Sequence, residues 1–250
     1  MGASTVGEGG PVRIGAIYPD DAWVDRETQA LVDDFSAYLT DGADLIAAST
    51  PVPSLDATYE NSVALAENGD IEEAARRLCK YELDCYAYYC TTVSFIRGTG
   101  GDRDIAQRIV VATGKPATTT STAMVDAFRH LHIESVVLAS PYMPDVEAKF
   151  IAFIEDHGVN VLNSRALNLK DGHSIVPPEE ISRLAEGADL PRADAVFVGC
   201  TGQRLAGHIE EMEQRLGKPV LTANQVTTWH ALRLAGHEHT RAGRGRLFAP

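Results

Sequence analysis

Twice in this chain an apolar run stops at a cysteine that threonine follows at once, in 87-AYYCTTVSF-95 and in 195-AVFVGCTGQ-203. Each run is short and dense in apolar side chains, which marks a strand buried on both faces. Segments of the same kind alternate with helical patterns along the whole chain. In the first half, residues 12–18, 44–49 and 83–89 read as strands. Residues 25–39, 71–81 and 102–112 read as helices, and Leu31, Val32, Phe35 and Leu39 make an apolar stripe on the first of them. The stretch 114-GKPATTTST-122 supplies a stop, a short strand and a helix start, with Ser121 or Thr122 as cap of a helix running to His130. In the second half, residues 134–140, 159–164 and 195–199 read as strands, and 144–157, 178–187 and 204–216 as helices. Then 217-GKPVLTANQVT-227 leads into a last helix at about 226–234. Such alternation implies parallel sheet covered by helices.

The halves share one order: strand, Cys-Thr, helix, Gly-Lys-Pro, short strand, polar helix start. This points to a duplication and to two similar α/β lobes. Ligands bind beyond the carboxyl ends of strands in open α/β sheets. Two facing lobes would therefore set Cys90 and Cys200 on opposite walls of one cleft.

The charge excludes some partners. A formal net charge of −13 leaves no basic surface for nucleic acid or an anionic membrane. No apolar run reaches the length of a membrane span, and the start, 1-MGASTVGEGGP-11, lacks the features of a secretory signal, so a cytoplasmic location is expected. In that setting Cys79, Cys85, Cys90 and Cys200 are not expected to form disulfides, and without CxxC or paired-histidine spacing they do not suggest a metal site. Cys79, in a helical pattern, and Cys85, in a strand, read as small buried apolar residues. The run 97-RGTGGDR-103 lacks the Lys-Ser/Thr of a phosphate loop and reads as a flexible loop over the cleft, with Arg97 a candidate carboxylate contact. The triplet 237-HEH-239 reads as solvated surface, 241-RAGRGR-246 as a surface strand or lid, and Trp229 as packing a helix on the sheet.

A thiolate is both a nucleophile and a base. A strand end leading into a helix start should lower a thiol's pKa, because amide N–H groups favour the anion. Thr91, Thr92, Thr201 and Gly202 would supply donors for a carboxylate and for the enediolate it becomes, each worth about 3–4 kcal/mol in the transition state when well aimed. One thiol on each face of a planar intermediate gives racemisation without a cofactor. Thiolate addition to a double bond, rotation and elimination give cis–trans isomerisation. A single thiol protonating one face serves a decarboxylase. A non-catalytic binding protein for an organic acid is the reading from outside catalysis.

The pieces 90-CTTVSFIRG-98, 113-TGKPATTTSTAMVDAFRHL-131, 136-VVLASPYMPDV-146 and 198-VGCTG-202 resemble the aspartate/glutamate racemase superfamily, in its maleate isomerase and arylmalonate decarboxylase branch. The resemblance implies two pseudo-symmetric, Rossmann-like lobes with four-stranded parallel sheets and an active site between them. Residues 12–118 with about 226–250 would form one lobe, 119–225 the other, and 1–11 a flexible tail. It also implies an enzyme that uses no cofactor or metal and acts on a small carboxylate, and it leaves open a homodimer or higher homo-oligomer. Cys200 matches the thiol shared across the branch. Cys90 matches a position that is cysteine in the racemases and isomerases and glycine in the decarboxylases. Thr91 and Thr92 match a carboxylate-binding pair, and Tyr142 a tyrosine whose hydroxyl enters the pocket. Thr119 and Ser121 are further donors, and Pro19 and Asp20 close the first strand at the pocket. Where maleate isomerases carry two asparagines, this chain has Ala22, after Asp20 and Asp21, and 170-KDGH-173. Acidic residues there would meet an amino group or repel a second carboxylate, which brings in the similar ectoine-utilisation proteins and their amino-acid derivatives. The expected activity is a racemase or cis–trans isomerase using Cys90 and Cys200, with an arylmalonate-type decarboxylase or an ectoine-utilisation-type racemase as alternatives.

Overall fold

The structure, a computed structural model, describes residues 10–20, 25–52, 54, 56–237 and 240–249. Most of the tail expected over 1–11, together with Asp21, Ala22, Trp23, Glu238 and His239, lies outside the described residues, and so does the side chain of Asp20.

The first half runs β1 (Val12–Asp20), α1 (Asp25–Ala37), β2 (Ala43–Pro51), α2 (Tyr59–Glu67), α3 (Asp70–Leu78), β3 (Cys85–Tyr88), α4 (Thr91–Phe95), α5 (Gly101–Thr113), β4 (Ala117–Thr119) and α6 (Thr120–His130). The second half runs β5 (Ser135–Ser140), α7 (Pro144–Asp156), β6 (Asn160–Ala166), α8 (Pro178–Ala188), β7 (Ala195–Val198), α9 (Ile209–Leu216), β8 (Val220–Thr222) and α10 (Ala223–Leu234). Two four-stranded sheets result, ordered β2-β1-β3-β4 and β6-β5-β7-β8, with every pairing parallel. The orders are equivalent, as the duplication requires. The paired central strands β3 and β7 are buried along their whole length, which explains their unbroken apolar runs.

The repeated Gly-Lys-Pro has a local cause. Gly114 and Gly217 end α5 and α9 in the left-handed conformation, with φ of 71° and 72°, and proline then prevents the helix from resuming. The short strands that follow each end on a capping threonine. Thr119 Oγ1 accepts from Thr122 N, and Thr222 Oγ1 accepts from Gln225 N within a reciprocal capping box. The cap of α6 is thus Thr119, not Ser121 or Thr122: β4 runs directly into the helix and the last extended residue caps it.

The helices after β4 and β8 join the two halves. Phe128 of α6 meets Phe197 of β7 edge-on, with ring centroids 5.6 Å apart. From α10, Thr228 Oγ1 bonds Tyr89 Oη at 2.8 Å, and the Ala231 carbonyl accepts from the buried Cys85 thiol at 3.2 Å. Thr227 Oγ1 donates to Thr120 Oγ1 at 2.9 Å, tying α10 to α6. Among the described residues, no helix is long and apolar enough to cross a membrane.

Several elements depart from expectation. α2 and α4 are additional helices, and α9 begins only at Ile209, after irregular chain at 203–205 and a turn at 206–208. Cys79 is exposed at the C-cap of α3 rather than buried. Arg97 pairs with Asp104 on α5, which its own loop enters, and does not line the cleft. The 241–246 segment is neither strand nor lid. Arg244 donates to the carbonyls of Ala37 and Ala206, and the following Leu247 and Phe248 are buried. Trp229 packs beside His130, with the Arg233 guanidinium 5.1 Å from its ring, away from the cleft.

Candidate active site

β3 and β7 deliver Cys90 and Cys200 to the carboxyl edge of the two sheets, where both line one cavity of about 450 Å³. Thr201 Oγ1, just past Cys200, donates to the carbonyl of Tyr89, just before Cys90, at 3.4 Å. The two strand ends are thereby laced together. Pro19, Thr91, Thr92, Thr201 and Gly202 line the same cavity.

The two turns are built differently. Cys90 keeps extended backbone (φ −157°, ψ 110°) and is the N-cap of α4. Ser94 Oγ holds this turn by donating to the Cys90 carbonyl at 2.7 Å, and it also bonds Ser121 Oγ at 2.7 Å. Cys200 has φ +79°, a left-handed conformation that costs a residue with a Cβ of order 1 kcal/mol or more. Its carbonyl accepts from Gln203 N at 3.1 Å, and Gly202 N donates to its sulfur at 3.4 Å. A Cβ at Gly202 would lie 3.3 Å from that sulfur and 3.3 Å from the backbone of His173 and Ser174, so the close approach of the two loops favours glycine. Asn224 Nδ2 braces the turn, donating to the Thr201 and Gln203 carbonyls at 3.0 and 3.2 Å and to Asp34 Oδ2 at 2.8 Å.

Burial dominates the thiol acidity. It pushes the Cys90 thiol up to about 11, against the N–H of Val93, the hydroxyl of Tyr88 and the N–H of Thr92. It pushes the Cys200 thiol up to about 12, where charge on Cys90 adds to the rise while the N–H groups of Gly202 and Gln203 and the Tyr142 hydroxyl oppose it. The lowering expected from a helix start is therefore overturned. The amide donors are present at Cys90, but desolvation outweighs them, and no helix follows Cys200 directly. Both thiols hold their protons at neutral pH, and the mutual repulsion disfavours a doubly ionised pair.

Tyr142 is fully buried, with its hydroxyl beside Thr92 and Thr91 and its own ionisation pushed well up by burial. Among the described residues, neither that hydroxyl nor the Thr91 hydroxyl has a partner at full hydrogen-bond geometry. Thr119 and Ser121 are not cavity residues. Thr119 caps α6, and Ser121 Oγ, with Ser94, contacts the Thr91 carbonyl from behind at 3.3 Å. Asp20 ends β1, paired with Pro51 of β2.

The structure adds a wall that the sequence did not disclose. Residues 171–175, following β6, contribute His173, whose Nδ1 lies 3.7 Å from Cys200 Sγ. Its Nε2 bonds the Leu169 carbonyl at 3.0 Å, and burial lowers its pKa. Opposite, Asn61, Ser62 and Leu65 of α2 and the segment before it complete the cavity. Ala57 N donates to the Lys170 carbonyl at 2.8 Å, and Lys170 Nζ pairs with Asp56 at 2.7 Å, joining the two walls at the rim. Among the described lining residues there is no lysine or arginine, so anion binding in the cavity falls to hydroxyls and backbone N–H groups.

Comparison with known proteins agrees with this architecture. The chain is 31% identical to the arylmalonate decarboxylase of Bordetella bronchiseptica over 185 residues, covering 71% of this chain and 76% of the relative. It is 25% identical to a maleate isomerase of Pseudomonas putida over 192 residues, covering 74% and 77%. A liganded double mutant of arylmalonate decarboxylase superposes with a TM-score of 0.83 at 30% identity, covering 95% of this chain and 98% of that one. The fold is also that of a Nocardia farcinica maleate cis–trans isomerase mutant carrying a covalently bound succinylcysteine intermediate, with a TM-score of 0.83 at 23% identity over 96% and 98% of the two chains. A family model described as arylmalonate decarboxylase matches residues 55–248, most of the chain and all of the thiol-bearing cavity except Pro19, Leu31, Val52 and Ser54, and the chain belongs to that family.

Proposed function

We propose that this protein is a cofactor-independent isomerase or racemase of a small carboxylic acid, with Cys90 and Cys200 as its reacting groups. The observation that carries the reading is the pair of thiols at equivalent strand ends, lining one cavity and laced together by the Thr201–Tyr89 hydrogen bond. The substrate carboxylate is held by the N–H and hydroxyl groups of Thr91 and Thr92; the Thr201 hydroxyl and the Gly202 N–H join them by exchanging their bonds to the Tyr89 carbonyl and the Cys200 sulfur for bonds to substrate, with the Tyr142 hydroxyl behind. One cysteine reacts as thiolate. It either removes the Cα proton, leaving the electron pair in an enediolate, or adds to a double bond, pushing the pair into the carboxylate. Donors aimed at the enediolate oxygens stabilise it more than the substrate. In racemisation the second, still protonated thiol gives its proton to the other face. In cis–trans isomerisation the C–C bond rotates in the adduct and the enediolate electrons reform the double bond as the first thiolate leaves, any proton the second thiol gave to carbon being taken back by it in that step. The electrostatic coupling of the thiols suits these unlike roles, because it favours one thiolate and one thiol over two anions.

A second reading has its own support. The most similar sequence relative cited above is named a decarboxylase, and the cavity couples its polar end to apolar Leu31, Val52 and Leu65, space for a substituent larger than a C4 diacid needs. In that chemistry the C–CO₂ bond breaks, its electrons enter the same enediolate, and Cys200 alone protonates carbon.

Incubation of maleate, amino acids and substituted malonates in deuterated water separates the readings. Deuterium entering Cα, or cis–trans conversion, with loss of both when either cysteine is replaced, supports the two-thiol reading. Release of CO₂ that survives Cys90→Gly and stops with Cys200→Ser supports the decarboxylase. Binding without turnover by any acid in the panel defeats both.

A further inference from the structure

We infer that His173 is the proton acceptor of Cys200, forming a cysteine–imidazole pair within the cavity. The inference rests on the proposed reading of Cys200 as a reacting thiol and adds the group that draws off its proton.

The geometry defines the imidazole tautomer. Leu169 O can only accept, so the nitrogen 3.0 Å from it, Nε2, carries hydrogen. That carbonyl is itself fixed, since Leu169 N donates to the Pro141 carbonyl at 2.8 Å at the end of β5. In the neutral ring Nδ1 is then a bare lone pair, and it faces Cys200 Sγ at 3.7 Å. The contact is held from both sides. Gln203 Nε2 donates to the His173 carbonyl at 2.9 Å, and Arg204 donates to the Ser174 carbonyl at 3.3 Å, binding the histidine loop to the turn that follows the cysteine. The left-handed backbone of Cys200 is maintained in the same place. Among the described residues no histidine is hydrogen-bonded to Cys90, whose backbone is extended and unstrained, so the two thiols are not equivalent.

The step conserves charge and protons. The S–H bond of Cys200 breaks, its electron pair stays on sulfur, and the proton forms Nδ1–H. The resulting imidazolium has both N–H groups satisfied, one by the Leu169 carbonyl and one by the thiolate. When the thiolate leaves carbon, the reverse transfer resets the pair. When it takes a substrate proton instead, Cys200 becomes a thiol, Cys90 gives its proton to the carbon and becomes the thiolate, and the imidazolium proton passes through water to Cys90 to restore the starting state.

Other charged or titratable groups surround the pair. Cys90 lines the same cavity and its charge acts on Cys200, and the Tyr142 ring lies 6.0 Å from that of His173. Asp171 is on the same loop, Arg204 is at Ser174, the Asp56–Lys170 pair is at the rim, and Asp34 of α1 is held by Asn224. Asp171 favours the imidazolium, but burial is the larger influence and keeps the ring neutral at rest, as an acceptor must be.

The test is the rate of iodoacetamide labelling at Cys200 against pH, followed by mass spectrometry of its peptide in the whole protein. A limb below the ordinary histidine pKa, leading to a plateau near neutrality, is expected. His173→Phe and His173→Gln should both lose that limb and label at least about tenfold more slowly at pH 7. Glutamine keeps an acceptor of similar reach that cannot take the proton, so its KM should stay close to the original while kcat falls. Identical pH profiles in folded His173→Gln and the unaltered protein would overturn the pair. Nitrogen-15 shifts of His173 in the unaltered protein give a check that needs no variant: a neutral ring with hydrogen on Nδ1 also overturns it. If no acid turns over but the limb is present and lost in the variants, the pair stands and the proposed function fails. Turnover unaltered in kcat by either substitution leaves the function and removes the pair.

Discussion

Cys90 and Cys200 end equivalent strands of equivalent sheets, yet the chain leaves the two strands in opposite ways. At Cys90 the backbone stays extended and enters α4, whose first amides face the thiol. At Cys200 it turns left-handed, no helix follows for several residues, and an imidazole takes the place of helix amides. Duplication reproduces topology, because β3 and β7 obey the same burial rule. It does not reproduce the surroundings of the strand ends, which come from different loops. A symmetric fold therefore presents two chemically unlike thiols.

The largest effect should come from Cys200→Ser. Removing the thiol shared by both catalytic readings should lower turnover by about 10³-fold or more, equivalent to about 4 kcal/mol of barrier, measured with whichever acid proves to be substrate. Cys90→Gly should match it if the cysteines act as a pair; retained turnover would show that the asymmetry extends to function.

Next is the brace behind Cys200. Asn224→Ala removes two N–H donors shared among three acceptors and leaves the Thr201 and Gln203 carbonyls and Asp34 short of a buried partner. A loss of about 2–3 kcal/mol is expected in urea unfolding, together with reduced kcat. Ser94→Ala, which acts on the Cys90 turn, should cost less, about 1 kcal/mol, because α4 supplies backbone bonds of its own. Equal losses would show that both turns depend on side-chain bracing alike.

Thiol labelling sharpens the contrast further. With its thiol pushed up to about 11 and no histidine contact, Cys90 should label ever faster as pH rises toward that value, without a plateau near neutrality. A neutral plateau at Cys90 would indicate a base on that side too.

The smallest effects lie at the paired caps. Thr119→Ala and Thr222→Ala should each cost about 1 kcal/mol by thermal or urea unfolding, with Thr222 the larger because Gln225 returns the hydrogen bond to its N–H.

What could be read along the chain was whatever repeats locally. The apolar runs, the amphipathic stripes and the two Gly-Lys-Pro stops located the parallel sheets and placed both cysteines at strand ends. α4 escaped because five residues are too few to show a period, and α2 because its apolar residues form only a weak stripe after the proline-containing stretch 51-PVPS-54. Thr119 and Ser121 have the composition of ligand-binding residues, but hydroxyls at a helix start serve caps and buried networks equally well, and here they do. His173 gave no signal, since it lies in a polar loop distant in sequence from Cys200 and meets it only when β6 and β7 flank β5.

Local periodicity, then, was enough to specify the two parallel sheets and to place Cys90 and Cys200 at strand ends beside one cavity, because burial on both faces of a strand leaves its mark on consecutive residues. The acidity of those thiols and the partner each received were decided only in three dimensions. Desolvation and hydrogen bonding are sums over neighbours brought in from distant segments, and at both cysteines that sum reversed what the strand-to-helix pattern predicts.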